Sequence, residues 1–130
     1  DVLTISIHGD PDFEYPHYIG FSDETGAGTG LGYHRNFPLP AGTDDAKYLS
    51  ALDEALAMIR NFAPNHLVLS TGMDTFENDP LGKFKVTRNG FTEIGKRIAA
   101  LNLPSVIVME GGYANEALGT NVVALLEQFK

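Results

Sequence analysis

Ser105-Val106-Ile107-Val108-Met109-Glu110-Gly111-Gly112-Tyr113 decides the reading of the fold. The stretch follows Pro104, holds an unbroken apolar run of strand length, and closes on two glycines and a tyrosine. A short continuous run rich in branched residues is expected of a strand covered on both faces. Leu67-Val68-Leu69-Ser70, after Pro64-Asn65, repeats the arrangement and passes into Thr71-Gly72-Met73-Asp74-Thr75. Val2-Leu3-Thr4-Ile5-Ser6-Ile7 is a further such run, ended by the turn cluster His8-Gly9-Asp10-Pro11. Tyr33 to Leu39 is a weaker candidate, closed by Pro38 and Pro40.

Helical spacing fills the intervals. From Thr43 to Phe62, apolar residues at Tyr48, Leu49, Leu52, Leu56, Ile59 and Phe62 follow the i, i+3, i+4 pattern, with Thr43 or Asp44 as the cap. A second helix is predicted from near Thr87 or Asn89, with Phe91, Ile94, Ile98 and Leu101 on one face. A third, from about Asn115, uses Leu118, Val122, Leu125, Leu126 and Phe129. Strands alternating with helices predict an α/β fold with a mostly parallel sheet of about four strands. Without a repeat or a long linker, residues 1–130 are expected to form a single domain. The loops at 8–32 and 72–86 each follow a strand's C-terminal end, where ligand sites gather in open parallel sheets.

Composition narrows the function classes. The chain is 43% hydrophobic and 20% charged, as a soluble core-forming protein should be, and no stretch nears the about 18 apolar residues of a membrane span. No N-terminal signal pattern is visible, and a cytoplasmic protein without membrane partners is expected. The first residue is Asp1 rather than Met, an expectation of processing or truncation. Cysteine is absent, which excludes disulfides, thiolate metal sites and a cysteine nucleophile. A net charge of −8 with only nine Lys and Arg argues against nucleic acid as a partner.

Taken singly, the polar motifs have modest readings. Asp74 beyond a buried strand caps a turn in most proteins, and Tyr113 after two glycines reads as a core tyrosine after a flexible turn. Gly26-Ala27-Gly28-Thr29-Gly30-Leu31-Gly32 leads into a strand rather than a helix and lacks the Gly-Lys-Ser/Thr ending, so it is no phosphate loop. His8, His17, His34 and His66 include no i, i+4 pair, and no serine lies in a Gly-x-Ser-x-Gly elbow.

Their order is far more specific. Ser6-Ile7-His8-Gly9-Asp10-Pro11, Tyr15-Pro16, Gly26-x-Gly28, Tyr33-His34-Arg35-Asn36-Phe37-Pro38-Leu39, Gly72-Met73-Asp74-Thr75, Asp79-Pro80-Leu81-Gly82 and Gly111-Gly112-Tyr113 follow one another along the chain. This series resembles the C-terminal portion of the zinc-dependent deacetylases of the histone deacetylase/acetylpolyamine amidohydrolase family, over almost all of the sequence. The resemblance implies a partial arginase/deacetylase-like fold. In its strand order the four runs stand fourth-third-first-second. It implies that Asp74 is one of three zinc ligands and that Tyr113 donates to the substrate amide oxygen, next to Gly111 and Gly112. Tyr15 would line the tunnel for the acyl-lysine stem. Ser6 and Ile7 would help bind a monovalent cation, potassium or sodium, and Tyr33 a second one. Leu81 falls at the tunnel mouth, where polyamine-selective members can carry glutamate, and so disfavours that variant.

The family's Asp-x-His pair and His-His pair lie upstream of the matching segment, and Asp-x-His occurs nowhere here. One carboxylate cannot make the three-ligand site of catalytic zinc, so hydrolysis by this chain alone is not expected. Arginase fits less well, because Asp74-Thr75-Phe76 lacks the second carboxylate of an Asp-x-Asp element. Two functions compete: part of a working zinc amidohydrolase acting on acyl-lysine or acylated amines, or a non-catalytic module that assembles through exposed sheet edges. The strand at Ser105 to Met109 would then self-associate. An unrelated α/β binding protein would require the whole series to be coincidence.

Overall fold

β1 (Thr4–Gly9) and β2 (His34–Leu39) run parallel, paired from Thr4 with His34 to Gly9 with Leu39. β3 (Leu67–Thr71) and β4 (Ser105–Met109) form a second parallel pair, from Leu67 with Ser105 to Thr71 with Met109. α1 (Asp45–Phe62) precedes β3, α2 (Arg88–Ala99) connects β3 to β4, and α3 (Asn115–Leu126) follows β4. The computed structural model describes residues 1–130. The architecture is α/β with parallel strands, which stand as two pairs, and packing divides the chain into units Asp1–Ala41 and Gly42–Lys130. No helix is long and apolar enough to cross a membrane.

In the first unit the connection between β1 and β2 holds no α-helix, only a single 3-10 turn at Gly28–Gly30. Side chains tie this long loop to the sheet instead. Glu24 accepts from the main-chain N–H of Gly20 at 2.6 Å and of Phe21 at 3.0 Å, and from the amide of buried Asn36 on β2 at 3.3 Å. His8 on β1 bonds through Nε2 to the Gly20 carbonyl at 2.9 Å and through Nδ1 to the Ser6 hydroxyl at 2.7 Å. A carbonyl only accepts, so Nε2 donates.

In the second unit α1 and α2 each start at a side-chain cap. Asp44 accepts from the Lys47 N–H at the start of α1, and Thr87 accepts from the Gly90 N–H at the start of α2. The Asp45 carboxylate joins these two starts, accepting from the Thr87 N–H at 2.8 Å and its hydroxyl at 2.6 Å. α1 ends on Ala63 in the left-handed region, directly before Pro64, which cannot continue a helix. The core combines Leu52, Ala55 and Leu56 of α1, Phe91, Ile94 and Ile98 of α2, Leu125 of α3, and Met73, Phe76, Phe84 and Val86 of the loop between β3 and α2. Burial of this apolar set is the main term favouring the fold.

Four expectations change. The strands form two separate parallel pairs, β1 with β2 and β3 with β4, where one sheet of about four in the order fourth-third-first-second was expected, because no ladder bonds join β1 to β3. β1 lies two residues further on than the apolar run suggests, because the ladder with β2 extends through His8 and Gly9. On α3 the buried positions are Asn121 and Leu125, while Leu126 is 42% exposed. A polar residue holds a place in the buried face, which an apolar pattern cannot show. Nor are β3 and β4 covered on both faces: Val68 is 72% exposed and Val106, opposite it, 60%. Successive strand residues point to opposite sides. Only the side bearing Leu67, Leu69 and Ile107 is part-covered.

Candidate active site

Because β3 and β4 are parallel, the loops bearing Asp74 and Tyr113 leave the same end of their sheet. Main-chain bonds prolong the pairing past the strands: the Glu110 N–H donates to the Thr71 carbonyl at 3.0 Å, and the Met73 N–H to the Gly111 carbonyl at 2.7 Å. The Ser70 hydroxyl adds a bond to the Glu110 carboxylate at 2.8 Å. The two loops thus travel side by side, with the Asp74 carboxylate facing Gly111. A Cβ on Gly111 would strike that carboxylate, and Gly112, at φ +141°, would strike Met73. The glycine pair is the condition for bringing a tyrosine loop this close to a carboxylate.

α1 supplies a neighbour that the sequence reading missed. Burial pushes the Tyr48 phenol up to about 12, and the negative charge of Asp74 adds to the rise. Tyr48 therefore stays protonated and neutral beside Asp74. Its ring meets Phe84 edge-on, with centroids 6.2 Å apart.

Asp79 is the second residue missed. Only 8% exposed, it accepts four main-chain N–H bonds. Leu81 at 2.9 Å and Gly82 at 3.0 Å donate to Oδ1; Tyr113 at 2.7 Å and Ala114 at 3.2 Å donate to Oδ2. Burial by itself would raise its pKa, but the four donors together outweigh burial and hold it below the ordinary aspartate value. Asp79-Pro80-Leu81-Gly82 carries half of this signal, since an aspartate that accepts from the N–H groups two and three residues on makes an Asx turn. The other half comes from a loop distant in sequence.

The remaining expected site residues fall into two groups. In the second unit Leu81 is 60% and Tyr113 49% exposed, both on the loops just described. In the first unit Ser6 and Ile7 lie on β1, and Tyr33 directly precedes β2, its carbonyl accepting from the Thr4 N–H at 2.9 Å. Tyr15 projects from the loop after β1 and is 84% exposed. No three His, Cys, Asp or Glu side chains converge on one point that could hold a metal ion. Asp74, part-buried and bordered by glycine, is a single carboxylate, fewer than the three protein ligands of a catalytic zinc site.

Residues 1–129 match the family described as the histone deacetylase domain. The chain belongs to this family. Within the histone deacetylase family it is similar to acetylpolyamine amidohydrolase 2 of Pseudomonas aeruginosa, with 45% identity over 130 residues, all of this chain and 38% of that protein. It is also similar to an acetylpolyamine amidohydrolase of Burkholderia pseudomallei, with 51% identity over 121 residues, 93% of this chain and 36% of that protein. A crystal structure of acetylpolyamine aminohydrolase from Burkholderia pseudomallei superposes with a TM-score of 0.96 at 49% identity, over 99% of this chain and 38% of that one. This member of the histone deacetylase family thus spans just over a third of the length of these relatives.

Proposed function

We propose that this chain is part of a larger zinc-dependent amidohydrolase that removes acyl groups from acyl-lysine or acylated amines, and that alone it does not turn over. The observation that carries the reading is the Asp74 carboxylate set against Gly111-Gly112-Tyr113 at one end of a parallel strand pair. Asp74 is one zinc ligand, and the others come from outside this chain. Zinc, when bound, supplies a Lewis acid for the amide oxygen and lowers the pKa of a bound water. Tyr113 aims its hydroxyl at the same oxygen and donates a hydrogen bond that strengthens as negative charge develops there. By the family resemblance Tyr15 serves the substrate stem and Leu81 matches a tunnel-mouth position, while Ser6 and Ile7 serve one structural potassium or sodium ion and Tyr33 a second.

Within that class an acylated polyamine is the favoured substrate, since the relatives at 45% and 51% identity bear that name and a net charge of −8 attracts a polycation. Leu81 weighs the other way. Acetate release from an acetylated polyamine and from an acetyl-lysine peptide, with zinc supplied, tests the larger enzyme. Turnover of neither would sink the reading. For the isolated chain the expected result is no chelator-sensitive deacetylation. Chelator-sensitive activity that depends on Asp74 would overturn that part.

A second reading, a non-catalytic module that assembles through sheet edges, is favoured by the open face of Val68, Val106 and Val108. It predicts a folded chain that binds itself or a partner and never acquires hydrolysis.

A further inference from the structure

We infer that Asp79 is a positioning residue for turnover, fixing the main chain of Tyr113 and of the Leu81-Gly82 turn in one frame with Asp74. The inference rests on the amidohydrolase reading and deepens it. A buried carboxylate is costly unless its lone pairs are filled, and here four N–H groups fill them. None of the four donors lies within a helix or strand, so this side chain organises two loops. Its Oδ1 closes the turn at Leu81 and Gly82. The Gly82 main chain in turn rests on the Asp74 carbonyl, where any Cβ would collide. Its Oδ2 reaches Tyr113 and Ala114 at the start of α3. That helix has no side-chain cap of its own, so the carboxylate also places negative charge at its positive end.

The consequence for chemistry follows from exposure. Within this chain Tyr113 is 49% exposed, and what holds it is the hydrogen bond to its main chain. Its hydroxyl is therefore aimed through its main chain, and the shortest of the four bonds, 2.7 Å, falls on the Tyr113 N–H. Charge-assisted bonds of this kind are about twice as strong as neutral ones. An amide in place of the carboxylate would turn an NH2 toward one pair of donors and release one of the two loops.

The test is a double-mutant cycle in the larger enzyme. Asp79→Asn is expected to lower kcat by about 10–100-fold, the usual range for a residue that orients a reacting group, with KM and zinc content near those of the parent. In a Tyr113→Phe background, which lacks the hydroxyl being aimed, the same change should cost less than about threefold. Equal losses in both backgrounds would mean that Asp79 acts on the fold alone, and would overturn the inference. If the unsubstituted enzyme hydrolyses no amide, the functional reading has failed, and amide hydrogen exchange decides the positioning claim. Protection lost at Tyr113 and Ala114 but kept at Leu52 and Leu56 supports it; protection unchanged, or lost evenly, refutes it. Should Asp79→Asn not fold, Ala114→Pro removes one of the four donors at a φ of −78° that proline accepts, and enters the same cycle.

Discussion

Asp74 and Tyr113 sit on neighbouring loops, and the proposed function gives them separable work. In the larger enzyme Asp74→Ala should abolish zinc binding, measured as metal per protein after dialysis. Tyr113→Phe should keep the metal and lose turnover by about 10²–10³-fold, as for a removed oxyanion donor. Normal turnover of Tyr113→Phe would refute its role. Asp79 gives a prediction in pH. Its folded pKa lies below the ordinary aspartate value, so its stabilising contribution is fully present above the unfolded value of about 3.9. That contribution is lost as pH falls through the folded value. The gap between the stability curves of the parent and of Asp79→Asn should therefore be constant above about pH 4 and narrow as pH falls below it. Parallel curves throughout would show that the carboxylate is not held as the hydrogen bonds imply. The placement of Asp74 and Tyr113 on loops after parallel strands was legible because an ordered motif series surrounds them. Asp79 lay in that series as well, yet a carboxylate's identity says nothing of which main-chain donors reach it. Two of its four donors lie more than thirty residues on.

The elements themselves were more readable than their joints. Apolar periodicity placed α1 and α2, and cap chemistry fixed their first residues: Thr87, one of two starts considered for α2, is its cap. What the pattern could not show is that Thr87 serves two partners. It accepts from the Gly90 N–H and donates to Asp45, which links α1 to α2. Thr87→Ala should lower unfolding stability by about 1–2 kcal/mol, the upper part of the range for a lost cap, because Asp45 also loses a donor. Thr87→Ser, which keeps the hydroxyl, should recover most of it. Denaturant titration followed by circular dichroism measures both, and a Thr87→Ala midpoint equal to the parent's would remove this joint from the account. β1 and α3 were less legible for a related reason. Pairing with His34–Leu39 sets the limits of β1, and packing against α2 puts polar Asn121 on the buried face of α3. Both are long-range facts absent from local pattern.

Across the whole molecule, charge and exposed apolar strand surface pull in opposite directions. A net charge of −8 in 130 residues favours dispersal, while β4 favours association. β4 is paired only with β3, so its other side presents main-chain donors and acceptors. Its five residues include no charge and no proline, the usual guards of an open edge. On its open face Val106 is 60% and Val108 43% exposed, beside Val68 at 72%. An edge and a face exposed together let a second chain add both hydrogen bonds and apolar burial, and each makes the other more favourable. Repulsion between acidic chains acts over the Debye length, about 8 Å at physiological salt, and weakens as salt rises, whereas strand pairing does not depend on it. The isolated chain is therefore expected to pass from monomer to dimer or larger assemblies with increasing concentration, and more readily at higher salt. Light scattering over a concentration series at two ionic strengths measures this directly. Val106→Lys adds a charge on the open face and should shift the transition to higher concentration without altering the helical signal. A chain that stays monomeric at high concentration and high salt would mean that the β4 edge is covered in solution. An unchanged transition in Val106→Lys would place the contact elsewhere.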